Sequence, residues 1–186
     1  MKPLEMDRFV TNLIIKAIFI VCFLASISLA EQFKATGTID VYFSPRGGAT
    51  EAIVKEINVA KNEILVQAYS FTSKPIAKAL LEARKRGVKI EVVLDKSQRK
   101  EKYSSADFVV HAGIPTYIDA AHAIAHNKII IIDRSTLITG SFNFTKAAEQ
   151  NNAENLLIIK GNRLLVARYI RNVKEHKEHS EGYLGK

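Results

Sequence analysis

The chain has 186 residues, of which 47% are hydrophobic and 25% charged, and it carries a net charge of +8. This is the composition of a folded soluble protein rather than a disordered chain, and one domain with a proper core is the default at this length. The basic excess points to a polyanionic partner, nucleic acid or an anionic membrane surface, although solubility alone accounts for it equally well.

The first thirty residues are read as a secretory signal peptide. Lys2, Arg8 and Lys16 precede an uncharged apolar run from Ala17 to Leu29, and Ser28-Leu29-Ala30 has the small-x-small form of a cleavage site. Residues 1–30 are then removed and residues 31–186 form a single domain, periplasmic or secreted, with no stable membrane association. The alternative is an uncleaved anchor, lengthened through Leu13–Ile15. Cys22 is the only cysteine and lies in this segment, so the remaining chain offers neither a disulfide nor a thiolate ligand. Most of the charge, +7, belongs to residues 31–186.

Beyond Ala30, strand and helix signals alternate. A linker over Glu31–Thr36 leads to a strand over Thr38–Phe43, stopped at Ser44-Pro45. Arg46-Gly47-Gly48 is a loop; a glycine pair beside an arginine can cradle phosphate, but an ordinary strand–helix turn explains it as well. An amphipathic helix is expected over residues 50–60, with Ile53, Val54 and Ile57 on one face, then a strand over Glu63–Ser70. Ser73 is placed as the N-cap of a helix with Pro75 in its first turn, running to Arg86 and ended by Gly87. A strand over Val88–Leu94 follows, then a basic stretch with Lys96, Arg99, Lys100 and Lys102, suited either to a phosphate backbone or to plain solvent exposure. A short helix near Ser105–His111, a strand over Thr116–Ile118 and a loop over Asp119–Ala125 come next. The rest reads as strands over Ile129–Ile132, Leu137–Thr139 and Asn155–Ile159, with helices over Phe144–Gln150 and Asn162–Glu178. The fold class is α/β: a mixed β-sheet between helices on both faces.

One stretch carries chemistry. From His126 to Asn143 the residues follow H-x-K-x4-D-x6-G-S-x-N, six identities in eighteen positions. At ~1/20 per position a chance match is on the order of one in a million, so the pattern is not noise. Residues two apart on a strand share a face, which points His126 and Lys128 the same way at the mouth of the isoleucine run. Ser141 and Asn143 are likewise two apart, after Gly140, which suits a tight turn. Lys, Ser and Asn donate to phosphate oxygens, and His serves as nucleophile or general acid. Asp133 is an odd number of residues from His126, faces away on a straight strand, and is read with Gly140 as structural.

These residues resemble the HKD motif of the phospholipase D superfamily, and a single copy in a short chain is most similar to the small bacterial endonucleases of that superfamily. The likeness extends from about Asp40 to the last helix, through Gln67–Thr72, Arg86–Asp95 and Asn152–Asn155. It implies a metal-independent phosphodiesterase with no cofactor, acting on DNA or RNA through a phosphohistidine. It also implies a site made of His126, Lys128, Ser141 and Asn143, with Glu154 hydrogen-bonded to the imidazole. The cycle uses two histidines and the motif supplies one, so a homodimer sharing one site is expected. A lipid-directed phosphodiesterase, membrane-anchored or not, is the alternative. No metal site is expected. His122 lies four residues before His126, but position 126 reads as strand and no third ligand has matching spacing. His111, His176 and His179 read as surface or capping residues.

Overall fold

The computed structural model describes residues 30–185, so the expected leader lies outside the described residues except for Ala30. Among the described residues no helix is long and apolar enough to cross a membrane.

The elements in order are β1 (Thr38–Ser44), α1 (Ala49–Val59), β2 (Glu63–Ala68), α2 (Lys74–Lys85), β3 (Lys89–Asp95), a 3-10 turn (Lys96–Arg99), α3 (Ala106–His111) and β4 (Thr116–Asp119). Then come β5 (Lys128–Ile132), β6 (Thr136–Gly140), α4 (Lys146–Gln150), β7 (Glu154–Lys160), α5 (Arg163–Glu178) and β8 (Glu181–Gly182). They make one mixed sheet in the order β1-β7-β6-β5-β2-β3-β4-β8. β2, β3 and β4 run parallel, as helical crossovers require, while β5, β6 and β7 form an antiparallel meander.

Helices cover both faces, as the alternating pattern predicts. On one side α1, α2, α3 and α4 pack Ile53, Ile57, Ile76, Leu80, Val109 and Ala148 against Ile64, Val66, Ile130 and Ile132. On the other, Val166, Ile170 and Val173 of α5, spaced four and three apart, seal Leu65, Val93, Ile129 and Ile131. The isoleucine run of β5 is continuous because successive side chains enter different cores. Each such side chain contributes roughly 1.5–3 kcal/mol on burial.

Three expectations change. β5 begins at Lys128, so His126 precedes the strand instead of lying on it. The reason is pairing: Ala68, the last residue of β2, is opposite Lys128, and the single bond beyond it is Tyr69 N–H to the Asn127 carbonyl at 2.8 Å. The α4 helix starts late, at Lys146, because Phe144 is committed to the core and Thr145 caps the helix, accepting from Ala148 N–H at 3.0 Å. Ser73 stands at the N-cap of α2 without a side-chain capping bond; it is buried and its N–H donates to the Phe144 carbonyl. The short strand β8, which pairs with β4, has no counterpart in the sequence reading.

Asp133 closes the far end of β5. Its φ is 51°, a left-handed conformation that aspartate tolerates better than most residues, and its carboxylate accepts the N–H groups of Lys61, Asn62 and Glu63 at 2.9, 2.7 and 3.0 Å. Burial raises this carboxyl, but the three backbone donors outweigh it and hold it below its ordinary value. A depressed carboxyl stabilises the fold above its unfolded pKa, and that stability is lost as pH falls through the folded pKa. Asp133→Ala is therefore expected to cost roughly 2–4 kcal/mol in urea unfolding at pH 7. The deficit should begin to narrow as the pH is taken below about 4, where the unfolded carboxyl takes up a proton, and close only once the pH has passed below the lowered folded pKa.

Candidate functional site

Five of the six motif residues, all but Asp133, lie toward one end of the strands, where β2 and β6 end and β5 and β7 begin. His126 arrives on the loop of residues 120–127 and is exposed, its ring 4.5 Å from that of Tyr69 and tilted 52° to it. The loop is held from below by Asp95, buried at the end of β3. One Asp95 oxygen accepts Ala125 N–H at 2.8 Å, and the other accepts Ser97 N–H at 2.8 Å.

Lys128 enters the sheet and is only 6% exposed. Its Nζ donates to the His126 carbonyl at 2.9 Å and lies 5.1 Å from the centre of the Tyr69 ring, a cation–π contact. Burial pushes its pKa below that of an ordinary lysine, and the negative charge of Glu154 pushes it partly back. The ammonium is thus a poorly hydrated charge whose protonated form depends on an acidic neighbour.

The Gly140–Asn143 turn brings the remaining donors. Ser141 and Asn143 are followed by Phe142 and Phe144 respectively, both fully buried, so the strand-like alternation puts the polar pair above and the aromatic pair in the core. The Phe144 ring meets that of Phe71 edge-on at 6.4 Å, which anchors the turn. Gly140, at φ 145°, has no room for a side chain, because a Cβ there would stand 2.3 Å from the Asn155 carbonyl oxygen. That closeness lets the Ser141 and Phe142 N–H groups both donate to this oxygen at 3.1 Å. Ser141 Oγ in turn accepts from Asn155 N–H at 3.0 Å and from its Nδ2 at 3.3 Å, which leaves its own O–H to donate. Asn143 Oδ1 is buried with no hydrogen-bond partner.

Glu154 departs from expectation. Its carboxylate accepts from Asn152 Nδ2 at 3.3 Å and makes no hydrogen bond with the imidazole of His126, which lies against Tyr69. Glu154 acts on the site through its charge on Lys128. Tyr69, Asp95 and Asn155 support the site without having been singled out in the sequence. All three fall inside the family-like stretches, Asp95 as the last residue of Arg86–Asp95 and at a strand end.

A cavity of about 560 Å³ opens beside Tyr69, lined by Lys96, Arg99, Lys100 and Ile124. The basic stretch therefore borders the site. A larger cavity of about 650 Å³, with Glu63, Arg84, Glu91 and Lys177 in its wall, lies at the other end of β2 and contains no motif residue.

Two of the histidines read as surface or capping residues, His176 and His179, belong to a cluster with His122. His122, His176 and His179 converge on Asp119, which is fully buried at the end of β4. Spacing gives no third ligand for His122, but the packing of α5 against the sheet supplies two. Burial raises the Asp119 carboxyl, and hydrogen bonds from His176, His122 and His179 more than reverse this, holding it well below the usual carboxylate range.

Residues 53–177 match the family described as cardiolipin synthase, PLD-like domain. A phospholipase D of Rickettsia felis is 44% identical over 134 residues, which cover 72% of this chain and 66% of the relative, so the chain spans about two thirds of that protein. The human mitochondrial cardiolipin hydrolase is 32% identical over 61% of this chain and 46% of its own length. The crystal structure of Nuc, a phospholipase D family member from Salmonella typhimurium, superposes with a TM-score of 0.76 at 36% identity, covering 78% of this chain and 97% of that one.

The electrostatic link between Glu154 and Lys128 is directly measurable. Glu154→Gln removes the charge that raises the lysine pKa, so the Lys128 Nζ should titrate at lower pH than in the wild type, read by carbon NMR at Cε. An unchanged titration would detach Glu154 from the site.

Proposed function

We propose that this chain, which belongs to the phospholipase D superfamily, is a phosphodiesterase that cleaves nucleic acid with low sequence specificity through a phosphohistidine. The observation that carries the choice of substrate is the border of the site: Lys96, Lys100 and Arg99, the last paired with Glu181, line an open cavity beside Tyr69, the residue on which His126 rests, and their excess of positive charge suits a running phosphate backbone. In this reading His126 attacks phosphorus in line, and the phosphorus–oxygen bond to the leaving group breaks. A second, protonated imidazole gives that oxygen its proton. Water, deprotonated by the same imidazole, then attacks the phosphohistidine and releases the phosphate with His126 restored. Lys128, the Ser141 hydroxyl and the Asn143 amide hold the non-bridging oxygens, whose charge grows toward the transition state.

A lipid phosphodiester is the second reading, supported by the rickettsial and human relatives, named phospholipase D and cardiolipin hydrolase. Parallel assays on plasmid DNA, RNA and cardiolipin vesicles separate the two. Cleavage of the nucleic acids with vesicles intact is the expected result, and the opposite pattern replaces the first reading by the second. In either case His126→Ala should abolish turnover with little change in melting temperature, since the side chain is exposed. Lys128→Ala should lose roughly 10²–10³-fold in rate.

The second imidazole is assigned to His126 of a second copy of the chain. Support comes from β1, an edge strand on which Ile39, Val41 and Phe43 are 56%, 50% and 68% exposed. Phe43 is in register with Asn155, so this apolar stripe reaches the rim of the site, where a second copy would both cover it and deliver its histidine. In mixtures of wild type and His126→Ala with free subunit exchange, activity should fall as the square of the wild-type fraction. A linear fall would give each chain its own complete site.

A further inference from the structure

Away from the motif, the last turn of α5 builds a separate cluster of ligating groups. Asp119 Oδ2 stands 2.6 Å from His176 Nδ1, 3.0 Å from His122 Nδ1 and 3.3 Å from His179 Nε2. The four candidate ligand atoms all lie within 4.8 Å of one another. The three rings are gathered at mutual tilts of 35°, 56° and 65°, with centroids 4.7, 5.1 and 5.4 Å apart. Three imidazole nitrogens crowd this one carboxylate, His122 Nδ1 also standing 3.1 Å from its Oδ1, and any nitrogen that is not an N–H donor repels it.

A cation among them resolves both conflicts. Tetrahedral zinc with bonds of ~2.0–2.1 Å holds its ligand atoms ~3.3 Å apart, inside the range of 2.6 to 4.8 Å that these atoms span. Three imidazoles and one carboxylate, with no thiolate, suit zinc and its first-row neighbours. The carboxylate is already oriented, since Ala121 N–H donates to Asp119 Oδ1 at 3.1 Å. His122 is braced as well, because Lys96 Nζ donates to its carbonyl at 2.9 Å. Asp119 is fully buried while the side chains of His122 and His179 are 45% and 38% exposed, so an ion can enter from solvent and find a buried anion beneath.

We propose that Asp119, His122, His176 and His179 form a four-ligand site for a zinc-class divalent cation. Four protein ligands leave no position open for substrate, so the ion is a staple. It fastens α5, and β8 after it, to β4 at the sheet edge. It also pins the loop of residues 120–127, which continues into His126. The proposal is independent of the phosphodiesterase reading, because no step of that chemistry passes through this site.

The test uses the full chain without a polyhistidine tag, stripped with EDTA and dialysed. Titration with Zn²⁺ should show one equivalent per chain, and Co²⁺ should give the intense visible bands of tetrahedral coordination. A hundredfold excess of Zn²⁺ over Kd should raise the melting temperature by about 5 °C or more. His176→Ala should weaken Zn²⁺ at least roughly a hundredfold, whereas His111→Ala, outside the cluster, should bind as the wild type does. If His176→Ala does not fold, His179→Ala, half exposed on the last helical turn, reads the same loss. Failure to bind one equivalent, an unmoved melt, or equal binding by the cluster variants overturns the site and leaves a hydrogen-bonded clamp on Asp119. Hydrolysis followed in EDTA well below the melt separates the two proposals. Full Zn²⁺ binding by the inactive His126→Ala variant keeps the ion site apart from the chemistry, and cleavage that stops in EDTA and returns with Zn²⁺ would show that the pinned loop governs His126 while leaving the ion site standing.

Discussion

A strand covered on both faces can show polar side chains only at its ends, and β5 is such a strand. Its five residues are all buried, with alternate isoleucines entering the core under α1–α4 and the core under α5. Every polar group of the motif that belongs to this strand is therefore driven to one tip or the other. At one tip His126 and Lys128 face the solvent edge of the sheet; at the other Asp133 takes three backbone N–H groups and fastens β5 to the start of β2. The spacing between lysine and aspartate is the length of the buried strand.

The same economy of space shapes the opposite wall of the site. Gly140 lies so close to the Asn155 carbonyl that a side chain is sterically excluded, and that contact sets the turn that raises Ser141 and Asn143 while Phe142 and Phe144 stay in the core. Electrostatics completes the arrangement. Lys128 keeps its ammonium in a poorly hydrated place with help from the Tyr69 face, a backbone carbonyl and the charge of Glu154. The arrangement makes a rigid, preorganised set of donors on strand ends, which is the form that stabilises charge without reorganisation.

At the far edge of the sheet the logic is different. Asp119 is buried, and the side chains paired with it are three histidines. Two of them come from a helix more than fifty residues later in the chain. A loop shared between this cluster and His126 links the edge of the sheet to the motif site, so order at one end of residues 120–127 bears on the other.

Local pattern was enough for much of this. The alternation of strand and helix, the burial implied by four consecutive isoleucines, and the placing of Ser141 and Asn143 on a turn after Gly140 are all legible because each depends on neighbours within a few positions, where strand and turn geometry dictate direction. The structural place of Asp133 followed from counting along a straight strand. What the chain order conceals are relations made by packing. The strand mouth moved two residues past His126 because β2 ends opposite Lys128, and Glu154 turned to Asn152 because the imidazole rests on Tyr69. Asp95 became a brace because two separated loops cross above it. The convergence of His122 with His176 and His179 exists only once α5 lies across the sheet, since no spacing rule relates residues brought together by burying an apolar helix face.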